Sequence, residues 1–192
     1  MTNKIYVVSD THFGHRKVIE FESVNRPFKT IEDHDRELVE RWNATVRKDD
    51  TVWHLGDVFF GGREAHGILA ALNGVKRLVL GNHDVYPIEV YCQYFGKIYG
   101  AASLRGCILT HIPVHPCQLE YRYKANIHGH MHSKKMDDAR YICVSVEQTG
   151  LRPVLLDELL QTVCPHTPGQ TLDMPPETQK EPNTATYSDE VQ

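Results

Sequence analysis

Short apolar runs alternate with polar, glycine-rich breaks along the chain. The first run, Ile5–Val8, is rich in β-branched side chains, which is typical of a buried strand. Similar runs predict further strands at 51–55, 76–80, 107–109, 125–128 and 141–146. Strands separated by helical patterns predict an α/β fold.

Helical patterns fill several of the intervals between these strands. Thr30 and Asp33 resemble an N-cap with an acidic first turn. The apolar face that follows predicts an amphipathic helix of about four turns; its members are Ile31, Leu38, Trp42 and Val46. A second helix is predicted over 63–72, where Asn73-Gly74 ends it. The segment 87–99 is mixed, and 153–161 is expected to close the domain as a short helix.

Polar side chains that can bind metals stand just beyond the predicted strands. In chain order they are Asp10-Thr11-His12, Gly56-Asp57, Gly81-Asn82-His83-Asp84, Thr110-His111 and His128-Gly129-His130-Met131-His132. In layered α/β proteins the carboxyl ends of the strands share one edge, so these segments are expected to converge there.

Carboxylate, amide and imidazole groups in this order can hold two divalent metals side by side, which is typical of phosphoester hydrolysis. Asp10 and His12 share one face of an extended segment, as do His130 and His132. Each segment alone is weak evidence, because Gly-Asp is a common turn and a histidine pair fits a solvated loop. The complete set in this order favours a site.

Composition bounds the possible functions. The chain has 192 residues, 41% hydrophobic and 24% charged, with a net charge of -4 and a pI near 6.3. These values fit one soluble domain and weigh against a dedicated duplex-binding protein. Five scattered cysteines favour a reducing compartment, and neither a signal peptide nor a membrane span is expected, so a cytoplasmic location is predicted. We expect residues 1–163 to form the domain and the polar, proline-rich residues 164–192 to be disordered.

The motifs resemble those of the calcineurin-like metallophosphoesterase superfamily: Asp-x-His, Gly-Asp, Gly-Asn-His-Asp/Glu, a lone His, then Gly-His-x-His. The opening segment, residues 9–15, is most similar to small stand-alone phosphoesterases of bacteria and phages. The resemblance covers roughly residues 4–160. It implies a single-domain α/β/β/α layered sandwich that hydrolyses phosphoesters.

Position by position, the resemblance implies a site for two divalent ions, drawn from Mn, Fe, Zn, Ni or Co. One ion would be bound by Asp10, His12, Asp57 and His132, and the other by Asp57, Asn82, His111 and His130. Asp57 would bridge the two ions, which would convert a water into the hydroxide nucleophile. His83 would act as the acid for the leaving oxygen, and Asp84 would accept a hydrogen bond from His83 to orient it.

The resemblance leaves the substrate open. A small phosphodiester or a nucleotide is favoured, a nuclease is second, and a catalytically silent metal-binding scaffold is the alternative from another class. The second motif continues as Val58-Phe59-Phe60 rather than Asp-x-x-Asp-Arg-Gly, which weighs against a protein phosphatase. The short connections on either side of His111 leave no room for a cap domain, so an open site is expected.

Several residues keep two interpretations. His15 and Arg16 fit either a phosphate contact or a solvated helix start. Phe59 and Phe60 are expected in the core, with a nucleobase pocket as the alternative. The segment 121–124 alternates aromatic and basic residues, which indicates an edge strand or, as the alternative, a surface that stacks on bases and binds phosphates. Three other histidines are expected in packing, supporting or surface positions: His54, His115 and His128.

Overall fold

Two β-sheets form the centre of the computed structural model, which describes residues 3–162. The strands are β1 (Ile5–Val8), β2 (Thr51–His54), β3 (Val75–Val79), β4 (Lys97–Tyr99), β5 (Ala102–Leu104), β6 (Cys107–Leu109), β7 (Ala125–His128), β8 (Tyr141–Cys143) and β9 (Val154–Leu155). The helices are α1 (Val18–Phe21), α2 (Ile31–Thr45), α3 (Arg63–Gly67), α4 (Ile88–Cys92), α5 (Gln118–Tyr121) and α6 (Leu156–Thr162).

Both sheets are mostly parallel. The first has the order β4-β3-β2-β1-β9, in which only β9 runs antiparallel to its neighbour. The second has the order β5-β6-β7-β8, with β5 antiparallel to β6. Helices flank the two sheets, so the layered single-domain α/β fold expected from the sequence is confirmed.

Alternation along the strands of the first sheet supplies two apolar layers. Tyr6 and Val8 of β1 belong to a core shared with α2, where Leu38 and Trp42 are buried. Val7 points the other way, into a layer that also contains residues of β6 and β7. A strand buried on both faces reads as a continuous apolar run, which explains the pattern of Ile5–Val8.

The helix α2 begins where the sequence predicts. The Thr30 side chain accepts a hydrogen bond from the backbone N–H of Asp33 at 3.1 Å, so it is the N-cap. The predicted helix over 63–72 instead divides into α3 and a 3₁₀ turn, Ile68–Ala71. Gly67, which stands at this junction, is a weak helix former.

Other boundaries also differ from the predictions. The strand predicted over 141–146 is regular only to Cys143, and Ser145 then forms an isolated bridge to Ser9, which follows β1. The helix predicted over 153–161 is preceded by β9. The edge-strand interpretation of 121–124 is wrong, because α5 ends at Tyr121 and an irregular connection follows.

The predicted tail, 164–192, lies outside the described residues. Within residues 3–162, the helices are too short or too polar to cross a membrane.

Candidate active site

The candidate site lies where strands of the two sheets end. Asp10 follows β1, Asp57 follows β2 and His111 follows β6. The backbone of Ser9 bonds to Val144 and Val146, beyond the end of β8. The backbone N–H of His130 donates to Asp10 Oδ2 at 3.0 Å, so the first and last motifs meet although they are more than 100 residues apart in sequence.

Four of the predicted ligands form the buried floor of the site: Asp10, His12, Asp57 and His111. The Nε2 atom of His12 lies 3.7 Å from Asp57 Oδ2 and 3.9 Å from Asp10 Oδ1. The Nε2 atom of His111 lies 3.5 Å from the same Asp57 oxygen. Asp57 therefore stands between the two imidazoles, as a shared ligand would.

The other three predicted ligands border this floor. Asn82 Oδ1 is 2.8 Å from His111 Nε2, and the ring of His130 lies 5.2 Å from that of His111. On the opposite side, His132 Nε2 is 3.9 Å from Asp10 Oδ1. Asn82 and His130 are exposed and His132 is half-buried, so the site is open to solvent on one side.

The backbone at this site adopts an unusual conformation. Five of the predicted ligands have φ between 50° and 67°, in the left-handed region: Asp10, His12, Asp57, His130 and His132. Non-glycine residues rarely occupy this region, and such outliers concentrate at functional sites. The geometry supports a site whose side chains are held in place before any ligand binds.

Two motif glycines allow the loops to approach each other. A Cβ atom at Gly81 would overlap Asp57, and one at Gly129 would overlap Ser9 Oγ and Asp10 Oδ2. These residues are glycine because the neighbouring ligand loops occupy the space of a side chain.

The unpaired atoms of the site fit a cation. Asp10 Oδ1 and both ring nitrogens of His12 are buried without a hydrogen-bond partner. Burial raises the pKa of the Asp10 carboxyl and holds the pKa of His12 well below its usual value. A divalent ion would compensate the buried carboxylate and bind the neutral imidazole, because imidazole and carboxylate together suit the transition metals.

The ring of His111 is oriented toward the same space. Its Nδ1–H donates to Leu55 O at 2.7 Å, which directs Nε2 at Asn82 Oδ1 and Asp57 Oδ2. Burial alone would lower its pKa, but hydrogen bonding to Asp57 and the nearby carboxylate charges raise the pKa of His111. The polar atoms of His111, Asn82 and Asp57 thus face one position.

Two residues of the site were not identified from the sequence. Glu147 Oε1 accepts a hydrogen bond from His132 Nδ1 at 2.8 Å, and Arg26 donates to the same oxygen. The Arg26 guanidinium also donates to the backbone carbonyl oxygens of Asp10 and Thr11. Neither residue stands in a recognisable motif; the only signal was a glutamate shortly after a predicted strand.

The structure corrects the expected partner of Asp84. Its carboxylate accepts hydrogen bonds from the backbone N–H groups of Asp57, Val58 and Gly81, at 2.8 to 3.0 Å. Both oxygens are therefore engaged with the backbone rather than with the His83 imidazole. The loops around Asp57 and Gly81 leave their N–H groups without strand partners, and Asp84 satisfies them.

His83 lies on the exposed side of the site. Its backbone N–H donates to Asp57 Oδ1 at 2.9 Å, and its ring centroid is 5.1 Å from that of Phe60. Phe60 is half-buried and also stacks on His15, at 4.1 Å. Arg16, by contrast, is an exposed residue paired with Glu32.

The remaining ambiguous residues occupy distinct positions. Phe59 is fully buried in the core, as expected. His54 is buried against Thr11, and His128 is buried beside Gly129, whereas His115 is exposed. These positions fit the packing, supporting and surface interpretations.

A cleft of about 380 Å³ opens beside the site. Its lining includes Asn82 and His111 together with the apolar side chains of Leu80 and Ile112. Ile112 is 52% exposed. A substrate bound at the candidate ligands therefore has room for a small group on this side.

The layered α/β fold, with clustered carboxylate and imidazole groups at its strand ends, defines the class of metal-dependent phosphoesterases. A family model for calcineurin-like phosphoesterases matches residues 3–107, more than half of the chain. The chain belongs to this family and is a metallophosphoesterase, a hydrolase.

Relatives of similar size match most of the chain. The uncharacterized protein MJ1445 of Methanocaldococcus jannaschii is 33% identical over 172 residues, covering 83% of this chain and 91% of that protein. The Gene 66 protein of Mycobacterium phage L5 is 31% identical, covering 82% of this chain and 93% of the relative. The crystal structure of AQ665, a protein of unknown function from Aquifex aeolicus, superposes with a TM-score of 0.67 at 28% identity, covering 83% of this chain and 99% of that one.

Proposed function

We propose that this metallophosphoesterase hydrolyses small phosphodiesters or nucleotides with two divalent ions bound at the candidate site. The observation that carries the proposal is the position of Asp57. Its Oδ2 lies between the Nε2 atoms of His12 and His111, at 3.7 and 3.5 Å. A carboxylate with one imidazole on each side can neutralise and bridge two adjacent cations.

The proposed ligand sets divide between the two sides of Asp57. Asp10, His12 and His132 would complete one set, and three further residues the other: Asn82, His111 and His130. Two three-residue groups are close enough to hold a metal ion: Asp10–His12–His132 lies within the first set, and Asp10–Asp57–His111 spans both sets through Asp57. Bound divalent ions would supply Lewis acidity, which polarises a phosphoryl group and lowers the pKa of a water.

The chain's own residues would then serve the leaving group and the loops. His83 stands at the exposed side, where a departing ester oxygen could receive its proton. Asp84 would hold the loops of Asp57 and Gly81 at a fixed separation through its three backbone contacts. The cleft beside His111, with Leu80 and Ile112 in its lining, would receive a small organic group of the substrate.

The metal stoichiometry tests the proposal. Elemental analysis of the full chain after reconstitution with Mn²⁺ should approach two ions per chain, and Asp57→Asn should bind fewer. Asparagine tolerates the left-handed backbone of this position, φ 56°, so the substitution removes charge rather than the loop conformation. Asp138→Asn, at a surface ion pair with Arg140, is the matched control. Saturation at one ion, or unchanged binding by Asp57→Asn, would contradict the bridged site.

Turnover separates the enzyme from a silent scaffold. The Mn²⁺-loaded chain should hydrolyse a generic aryl phosphodiester, and a panel of phosphomonoesters, cyclic nucleotides, dinucleotides and single-stranded DNA, each with Mn, Ni, Zn and Mg, would define the substrate. Full metal loading without turnover of any member would favour the scaffold.

A further inference from the structure

We propose that Glu147 and Arg26 are positioning residues of the metal site, with Glu147 fixing His132 as a ligand and Arg26 fixing both Glu147 and the first motif. The inference rests on the proposed function, because it takes His132 to be a ligand.

The contact between Glu147 and His132 determines which nitrogen faces the site. Glu147 Oε1 accepts a hydrogen bond from Nε–H of Arg26 at 2.7 Å, and it lies 2.6 Å from Arg26 Nη2 and 2.8 Å from His132 Nδ1. A carboxylate between these donors is ionised and accepts only, so Nδ1 of His132 carries the proton. The lone pair of the imidazole is then on Nε2, which faces Asp10. Metal-binding histidines are commonly oriented in this way by a carboxylate.

Arg26 joins this contact to the first motif. Its Nη2 donates to Asp10 O at 2.5 Å and its Nη1 to Thr11 O at 3.1 Å. Asp10 has φ 58°, so these bonds hold a carbonyl group beside a backbone outlier. One guanidinium therefore sets the relative position of the loop that carries Asp10 and the carboxylate that orients His132.

The network continues into α2 through His34 and Asp35. Arg26 Nη1 lies 2.9 Å from His34 Nε2, and His34 Nδ1 lies 2.8 Å from Asp35 Oδ1. The other oxygen of Asp35 accepts from the backbone N–H of Gly14 at 2.9 Å. The first motif is thus held on both sides by groups that belong to one hydrogen-bonded chain.

A structural role alone accounts poorly for this network. The side chains of Arg26 and Glu147 have no exposed surface, and buried ion pairs are often replaceable by apolar residues without loss of stability. A third cation among Glu22, His132 and Glu147, which also meet metal-binding distances, is disfavoured. A cation bound at Oε1 of Glu147 would lie next to the Arg26 guanidinium, whose positive charge opposes it; Oε2 of Glu147 is buried without a hydrogen-bond partner.

Calorimetric titration of Mn²⁺ into the metal-free full chain tests the inference. Glu147→Leu should lower the affinity for one of the two ions about 10–100-fold and leave the affinity for the other unchanged. Substitutions of residues that hydrogen-bond to a metal ligand have effects of this size. Glu147→Gln keeps an acceptor oxygen for His132 and should lose less affinity. Asp50→Asn is the matched control, because Asp50 is also a buried carboxylate but lies before β2, at the opposite end of the strands, where it accepts from Lys4 N.

The double variant Arg26→Met/Glu147→Leu controls for loss of metal binding that is caused only by unfolding. It removes both buried charges, so it should fold even where a single variant does not, yet it should still bind one ion weakly. Normal affinity for both ions in a folded double variant would overturn the inference, as would equal losses in Asp50→Asn.

His132→Ala distinguishes the two proposals. If His132→Ala lowers the affinity for one ion and Glu147→Leu does not, the positioning role of Glu147 is wrong, whereas the proposed metal site is still supported. If His132→Ala leaves both affinities unchanged, the proposed ligand set is wrong, and the positioning role falls with it.

Discussion

His83 lies between a proposed ligand, Asn82, and a residue engaged with the backbone, Asp84. As the proposed leaving-group acid, it should be dispensable for metal binding. His83→Ala should bind Mn²⁺ normally and lose turnover by about 10²–10⁴-fold on a substrate with a poor leaving group. The loss should shrink on a nitrophenyl ester, because nitrophenolate departs without a proton. Steady-state kinetics on the two substrates would measure the difference.

His111→Ala is the comparison for this prediction. It should lower the affinity for a metal ion and reduce the turnover of both substrates to the same extent, because it removes a proposed ligand. Metal loss in His83→Ala, or equal damage to both substrates, would contradict the role of His83 as an acid.

His54 makes stability depend on pH. Its Nδ1 accepts from Gly56 N–H and its Nε2 lies 2.9 Å from Thr11 Oγ1, which itself donates to Val58 O, so the neutral ring fits this position. Burial lowers the pKa of His54 from 6.5 to about 3. The folded pKa is below the unfolded one, so stability is full above pH 6.5. The contribution of His54 to stability falls by about 1.4 kcal/mol per pH unit as the pH drops toward 3.

Urea unfolding of the metal-free chain between about pH 6.5 and 4.5 would measure this slope. His54→Gln should reduce the slope by about 1.4 kcal/mol per pH unit, and His115→Gln, on an exposed loop, controls for the loss of an imidazole. An unchanged slope in His54→Gln would show that other groups account for the acid sensitivity.

At the scale of elements, glycines at strand ends and in helices should respond in opposite ways. Gly129→Ala should damage the site, because its Cβ would overlap Ser9 and Asp10 and displace the loop that carries His130. Gly67 lies in a helical conformation with φ -60° and open space around its Cβ position. Gly67→Ala should therefore be neutral or stabilise by about 0.5–1 kcal/mol.

Thermal unfolding together with Mn²⁺ titration would separate the two effects. Normal metal binding by Gly129→Ala would show that the loops can shift without disturbing the ligands.

Most elements could be predicted from the sequence, because local periodicity reflects burial. The strands Ile5–Val8, Cys107–Leu109 and Ala125–His128 have their predicted bounds. Boundaries failed where an apolar run continues into irregular backbone: Val144 and Val146 are buried beyond the end of β8. The prediction of an edge strand at 121–124 was wrong because a pattern of alternation over four residues is too short to exclude the end of a helix.

The convergence of the motifs followed from their places after strands, but the partners of individual side chains did not. Arg26 and Glu147 are 121 positions apart, and no spacing rule relates them. The expected contact between Asp84 and His83 was wrong because both carboxylate oxygens of Asp84 accept hydrogen bonds from the backbone. Backbone N–H groups, which sequence patterns do not show, determined the partner of Asp84.

At the scale of the whole molecule, the open site and the net charge support the proposal of a small substrate. Asn82, His83 and His130 are exposed, and the chain carries a net charge of -4. A negatively charged protein gains little from phosphate contacts along a duplex. Activity on a small aryl phosphodiester should therefore exceed activity on intact duplex DNA at moderate salt. A clear preference for duplex DNA would replace the small-substrate proposal with a nuclease.

The proposed ligands come from both sheets: four follow strands of the first sheet, and His111, His130 and His132 follow strands of the second. Ions bound there would join the two halves of the fold non-covalently. An ion at 100 times its dissociation constant would add about 2.7 kcal/mol to the free energy of unfolding. The resistance of the chain to proteases would then depend on the local metal concentration. A lack of metal would lead to degradation of the protein as well as to loss of its activity.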